Sequence, residues 1–192
     1  MKDIVEIAYF WNNIVDLPRL NGNGYRIAID IAINFEGHIT QNQFLKERSD
    51  WNRTSVSNTL KRLVENEILL CKLIPKTRKI EYIINPKLFK RTDLAFELQV
   101  DYLTFVKIWN EIREMTFMSS NNYRVFLDVL LFWSQVSPVD LCQKRQWKIS
   151  PTYASFKKLA EKNLLVCTKE GKTTVYTVNK NFLLKEYSNK IT

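Results

Sequence analysis

The sequence predicts an α+β, mainly helical protein made of two tandem units, and three observations carry that expectation. Between Trp51 and Tyr82 a helix-spaced apolar pattern runs straight into a basic hairpin. Residues 25 to 35 are apolar nearly all round, as expected of a helix at the centre of a core. The landmarks of the first half then return, in order, in the second.

In chain order, Ile4, Ile7, Ala8, Trp11, Ile14 and Val15 keep near-helical spacing until Asp16-Leu-Pro-Arg breaks it, predicting an amphipathic helix over 3 to 16. Asn21-Gly-Asn-Gly reads as a loop before the apolar helix from Tyr25 to Phe35, which Gly37 ends. Thr40 can cap a short third helix reaching about Arg48, and Asp50 or Asn52 can accept the first amide hydrogen bonds of a fourth. In that fourth helix Val56, Leu60, Leu63 and Val64 share one face. Arg53, Thr54, Ser57, Asn58, Lys61 and Arg62 are left on the other. The apolar run that starts at Ile68 breaks at a tip, Pro75 to Lys79, that holds no acid, and it returns through Ile80, Tyr82 and Ile84 as a hairpin would. Asn85-Pro86 closes it.

The pattern then restarts. Trp109-Asn-Glu-Ile lines up with Trp11-Asn-Asn-Ile, Tyr123-Arg with Tyr25-Arg, and Asp128 with Asp30. Small length changes bring Trp147 onto Trp51, Lys157-Lys-Leu-Ala-Glu onto Lys61-Arg-Leu-Val-Glu, Leu165-Val-Cys onto Leu69-Leu-Cys, and Tyr176 and Asn179 onto Tyr82 and Asn85. Ser150-Pro151 is a start signal for the helix that carries Phe156, Leu159 and Ala160 on its core face. The domains expected are therefore 1–92 and 105–192. Residues 93–104 have no counterpart and are apolar enough to form an ordered connector into a helix over 104 to 115. Charge divides evenly: 15 basic and 10 acidic residues in 1–92 give +5, and 14 and 10 in 93–192 give +4.

Three further features read as structural. Trp11, Trp51, Trp109 and Trp147 recur at matched positions, which favours packing over base stacking. Arg26 with Asp30, and Arg124 with Asp128, stand at i, i+4 and can pair along the central helices. Cys71 and Cys167 fall at matched helix-to-strand junctions and read as small buried hydrophobes.

Composition bounds the function. The 192 residues hold 29 Lys+Arg against 20 Asp+Glu, a net charge of +9 that biases the partner toward phosphate-rich polymers or anionic surfaces. Three cysteines without C-x-x-C spacing suit a reducing, cytoplasmic location. Asp3 and Glu6 interrupt the only apolar N-terminal run, so no secretory signal is expected, and Val125 to Trp133 is too short and too charged to span a bilayer. The single histidine, His38, has no cysteine or second histidine near it for a zinc or nucleophile site. Asn21-Gly-Asn-Gly lacks the Lys-Ser/Thr of a phosphate-binding loop, and no paired carboxylates stand out. No enzyme activity, cofactor, metal or membrane partner is expected.

A helix followed by a basic hairpin resembles the recognition helix and wing of winged helix-turn-helix proteins. The resemblance covers nearly the whole chain, and it implies two tandem winged helix-turn-helix domains from an internal duplication. It also implies double-stranded DNA as partner, bound by a monomeric internal pseudo-dimer on half-sites about one helical turn apart. In such domains helix side chains read base edges and basic groups hold phosphates. Carried onto this sequence, Arg53, Thr54, Ser55, Ser57 and Asn58 are the base readers of the first unit. Lys61, Arg62, Lys76, Arg78 and Lys79 are its phosphate contacts. In the second unit Tyr153 and Lys157 read or stack, and Lys144, Arg145, Lys148, Lys158 and Lys172 neutralise.

Tandem winged helices look like internal-dimer regulators of conjugative plasmid transfer and like plasmid and phage replication initiators. The absence of nuclease or ATPase motifs favours a transcriptional regulator or accessory DNA-binding protein of a mobile element. Winged-helix scaffolds of chromosome-condensing and membrane-sorting complexes are the alternative. Those tend to be acidic, whereas here both halves are basic and the first hairpin carries Lys72, Lys76, Arg78 and Lys79.

Overall fold

The computed structural model describes residues 3–17, 20–91 and 97–181, and its chain is α+β, mainly helical with small sheets. It divides into two compact units, Met1–Leu94 and Ala95–Thr192.

In the first unit, α1 (Ile4–Ile14) is capped by the Asp3 carboxylate, which accepts from the Glu6 amide, and buries Ile7, Ala8, Phe10, Trp11 and Ile14. Helix α2 (Gly22–Asn34) starts earlier than expected because Asn21 caps it, accepting from Gly24 N at 2.9 Å. The Asn-Gly-Asn-Gly stretch is thus a cap and first turn, not a loop. A Cβ at position 24 would lie 2.5 Å from Leu20 Cδ1, so a larger residue there would have to displace the leucine. Every residue from Ile27 to Ile33 is buried, as an all-round apolar helix requires.

Strand β1 (His38–Thr40) leads into α3 (Gln41–Glu47), which Thr40 and Gln43 start with a reciprocal capping box. Helix α4 (Arg53–Glu65) is capped by Asn52, and not by Asp50. The hairpin β2 (Leu69–Leu73) and β3 (Ile80–Ile84) follows, and β1 adds to β3, giving a three-stranded antiparallel sheet in the order β1-β3-β2. A 3-10 turn, Pro86–Phe89, then packs back on α1. Phe89 stacks on Phe10 with centroids 5.2 Å apart, and Asn13 Nδ2 donates to Leu88 O at 2.8 Å.

The second unit comprises α5 (Tyr102–Ile112), α6 (Ser120–Phe132), α7 (Pro138–Arg145), α8 (Ile149–Glu161) and the hairpin β4 (Leu165–Glu170) and β5 (Thr173–Val178). In the expected connector, residues 93–96 lie outside the described residues. From 97 onward Gln99 N donates to Leu131 O of α6 at 3.0 Å, and Asp101 caps α5, which begins two residues before the predicted start. Hydrogen bonds from Thr104, its hydroxyl first and then its backbone amide, hold the Asp101 carboxyl below its ordinary pKa. Where the first unit has β1, this one has, among the described residues, an isolated bridge between Val136 and Tyr176.

Several contacts recur in each unit. Trp11 packs on Tyr25 with centroids at 5.5 Å, and Trp109 on Tyr123 at 5.9 Å. The Tyr25 hydroxyl donates to Val15 O at 2.8 Å, and that of Tyr123 reaches Arg113 O at 3.5 Å. Asn85 Nδ2 donates to Glu67 O at 2.9 Å and Asn179 Nδ2 to Asn163 O at 2.8 Å. The two acceptor residues carry the turn from helix into hairpin at φ 57° and 59°.

Two expectations need correction. Cys71 and Cys167 are exposed, because β2 and β4 bury only their first residues, Leu69 and Leu165, while the strands paired with them bury Ile84 in the first hairpin and Val175 and Tyr176 in the second. Ser150 does not cap α8. The helix begins at Ile149 with Lys148 in the cap position and no side-chain cap hydrogen bond, so Pro151 occupies its third residue. Proline is allowed there because a first-turn amide has no partner within the helix.

Candidate nucleic-acid interface

Helix α4 buries Val56, Thr59, Leu60 and Leu63. At 100° per residue, positions 53, 54, 57, 58, 61 and 62 spread over about half the circumference on the opposite side. Arg53, Thr54, Asn58, Lys61 and Arg62 are exposed there, and Ser55 and Ser57 are half-buried at its edge. The Arg53 guanidinium is steered toward α3, donating to Asn42 Oδ1 at 2.9 Å, while Gln41 Nε2 of α3 reaches Arg53 O at 3.3 Å.

The tip of the first hairpin is organised by Thr77, whose hydroxyl donates to Ile74 O at 3.1 Å and accepts from Lys79 N at 3.2 Å. Ile74 N donates to Lys79 O at 2.8 Å and closes the tip. Lys76 and Arg78, at φ 65° and 54°, occupy the left-handed region, a conformation that costs side-chain-bearing residues on the order of 1–2 kcal/mol each. The closed tip holds Lys76, Arg78 and Lys79 exposed together.

Helix α8 has the same length of 13 residues as α4 and buries Thr152, Ser155, Phe156 and Leu159. These are the positions of Val56, Thr59, Leu60 and Leu63 in register. The side away from the core therefore carries Ile149, Ser150, Tyr153, Ala154, Lys157 and Lys158, all exposed, with Lys148 just before them. Its hairpin turns through Gly171, at φ 63°, and exposes Lys172. None of Lys61, Arg62, Lys76, Arg78, Lys79, Lys148, Lys157, Lys158 and Lys172 makes an ion pair among the described residues.

Arg145 does not belong with these cations. Its guanidinium grips Asp128 of α6 through Nε and Nη2, its side chain is 9% exposed, and the carboxylate is fully buried. The partly buried pair Arg48 and Asp30 makes the same two-pronged contact in the first unit, at 2.9 and 3.2 Å. Each pair fastens the end of α3 or α7 to the central helix and so sets where the next helix begins. Arg145 thus positions α8 and presents little charge to a ligand. Lys144, its neighbour, is exposed.

The i, i+4 reading of the aspartates missed these partners, which lie 18 and 17 residues away. The usable signal was a lone acid within a run of apolar residues, which must find a cation somewhere. The arginines of the i, i+4 pairs also lie over tryptophan rings. The Arg26 guanidinium lies 4.2 Å from the Trp51 ring centroid, and that of Arg124 lies 4.3 Å from Trp147. Trp51 and Trp147 are half-buried under these cations, whereas Trp11 and Trp109 are in the core.

Tyr82 and Tyr176 pair across their strands with Cys71 and Cys167. Their phenols are pushed above the ordinary tyrosine pKa, first by burial and then by the neighbouring thiol. Among the described residues no group of three or more His, Cys, Asp or Glu could hold a metal ion, and no helix is long and apolar enough to cross a membrane. No family model matches the chain, and no curated protein is detectably similar to it in sequence.

Proposed function

We propose that the chain binds duplex DNA as a tandem winged-helix protein that arose by internal duplication, and that it serves as a transcriptional regulator or accessory DNA-binding protein of a mobile element. The observation that carries the reading is the set of exposed cations on α4 and at the acid-free tip of its hairpin, on the side away from the buried Val56, Thr59, Leu60 and Leu63. Helix α8 and the turn at Gly171 repeat the set with fewer charges. A helix of this kind suits the major groove, where Arg53, Thr54 and Asn58 can meet base edges. Lys61, Arg62, Lys76, Arg78 and Lys79 then neutralise phosphates, and Lys148, Lys157, Lys158 and Lys172 do so from the second unit.

The duplication is supported by contacts that recur at matched residues. These include the buried aspartate with its arginine, the arginine over tryptophan, and the asparagine that bonds the turn before the hairpin. The test is a fluorescence-anisotropy titration of the full chain against random-sequence duplex at several salt concentrations. Micromolar binding that weakens steeply with salt is expected. No binding at low salt would reject the reading in favour of a protein-binding scaffold.

A further inference from the structure

Helices α4 and α8 present their outward positions in the same register, so their chemistry can be compared residue by residue. Arg53 is replaced by Ile149, Ser57 by Tyr153 and Asn58 by Ala154, while Lys61-Arg62 is matched by Lys157-Lys158. The phosphate-type groups persist and Thr54 is matched by the hydroxyl of Ser150, but the hydrogen-bonding groups of Arg53 and Asn58 give way to apolar side chains. Ile149 and Tyr153 stand at i, i+4 on one stripe and are 47% and 52% exposed. Exposed cations at Lys148, Lys157 and Lys158 surround the stripe, so its occupant is a polyanion that carries apolar groups at reach of a helix. In duplex DNA the apolar group that projects into the major groove is the thymine 5-methyl.

We infer that the second unit selects its half-site by apolar contact of Ile149 and Tyr153 with thymine methyl groups, where the first unit uses hydrogen bonds from Arg53, Thr54 and Asn58. The inference rests on the duplex-DNA reading above. It makes the two half-sites chemically different: the one under α8 is defined by the positions of thymines, the one under α4 by donor and acceptor patterns.

The test uses the full chain and a duplex obtained by selection from a random pool, in which each thymine is replaced in turn by uracil. That exchange removes the methyl and leaves every hydrogen-bonding group in place. Uracil is expected to weaken binding about fourfold for each methyl contacted, the worth of one buried methyl. The sensitivity should vanish at those positions in the variant Ile149→Ala with Tyr153→Ala and survive in Asn58→Ala. Equal affinity for thymine and uracil duplexes, with steep salt dependence retained, overturns the inference and leaves DNA binding standing. Uracil sensitivity that persists in the Ile149→Ala, Tyr153→Ala variant overturns it as well, because other residues then read the methyls. Failure to bind any duplex at low salt overturns both readings.

Discussion

Helices α4 and α8 bury the same four positions but differ in chemistry at three of the positions that face outward. Val56, Thr59, Leu60 and Leu63 answer to Thr152, Ser155, Phe156 and Leu159, whereas Arg53, Ser57 and Asn58 answer to Ile149, Tyr153 and Ala154. Each face is under a different constraint. The buried face must fill a fixed space against α2 or α6, so its pattern persists. The outward face is held only by what it touches, so it can carry hydrogen-bonding chemistry in one unit and apolar chemistry in the other.

The two units should differ most at their buried ion pairs. Replacing Arg145 with Met leaves Asp128, which is fully buried, without its main cation, and should cost about 3–5 kcal/mol in denaturant unfolding. Arg48→Met should cost less, because the side chains of Arg48 and Asp30 are 14% and 5% exposed and water can relieve the stranded carboxylate. Equal losses would mean that the two pairs do not differ in burial in solution.

The hairpins separate the units next. Arg78→Ala with Lys79→Ala should weaken binding to all duplex sequences and reduce the salt slope by about two, near 0.9 for each phosphate no longer neutralised. Lys172→Ala, with one cation at its turn, should reduce it by about one. A slope unchanged in the double variant would remove the first hairpin from the interface.

The helix starts give the smallest effects. Asn52→Ala should cost about 1 kcal/mol, since the Asn52 side chain accepts from both Thr54 N and Ser55 N. Lys148 holds the cap position of α8 with no side-chain cap bond, so Lys148→Asn should raise stability by about 0.5–1 kcal/mol while lowering the salt slope of DNA binding. Thermal unfolding and anisotropy on the same two variants separate these effects.

Much of this organisation is legible in the sequence, and the illegible part has a common cause. The period of Val56, Leu60 and Leu63 specifies which side of α4 is buried, and Thr40 marks the start of α3, because both signals are local. The pairing of Asp30 with Arg48 joins separate helices, and nothing local distinguishes Arg48 or Arg145 from a solvent-facing cation. The exposure of Cys71 and Cys167 escapes a sequence reading for a related reason. Alternation along a strand says which residues share a face, but not whether that face is covered, and past Leu69 and Leu165 every residue of β2 and β4 is exposed.

If both units hold duplex DNA through its phosphates, the salt slope of binding must register the cations of each recognition helix separately. It would be measured for the wild type, for Lys61→Ala with Arg62→Ala, and for Lys157→Ala with Lys158→Ala. A steep slope is expected for the wild type and a slope lower by about two in each variant. A slope unchanged in both variants, or affinity that does not respond to salt, would contradict phosphate binding by the two helices.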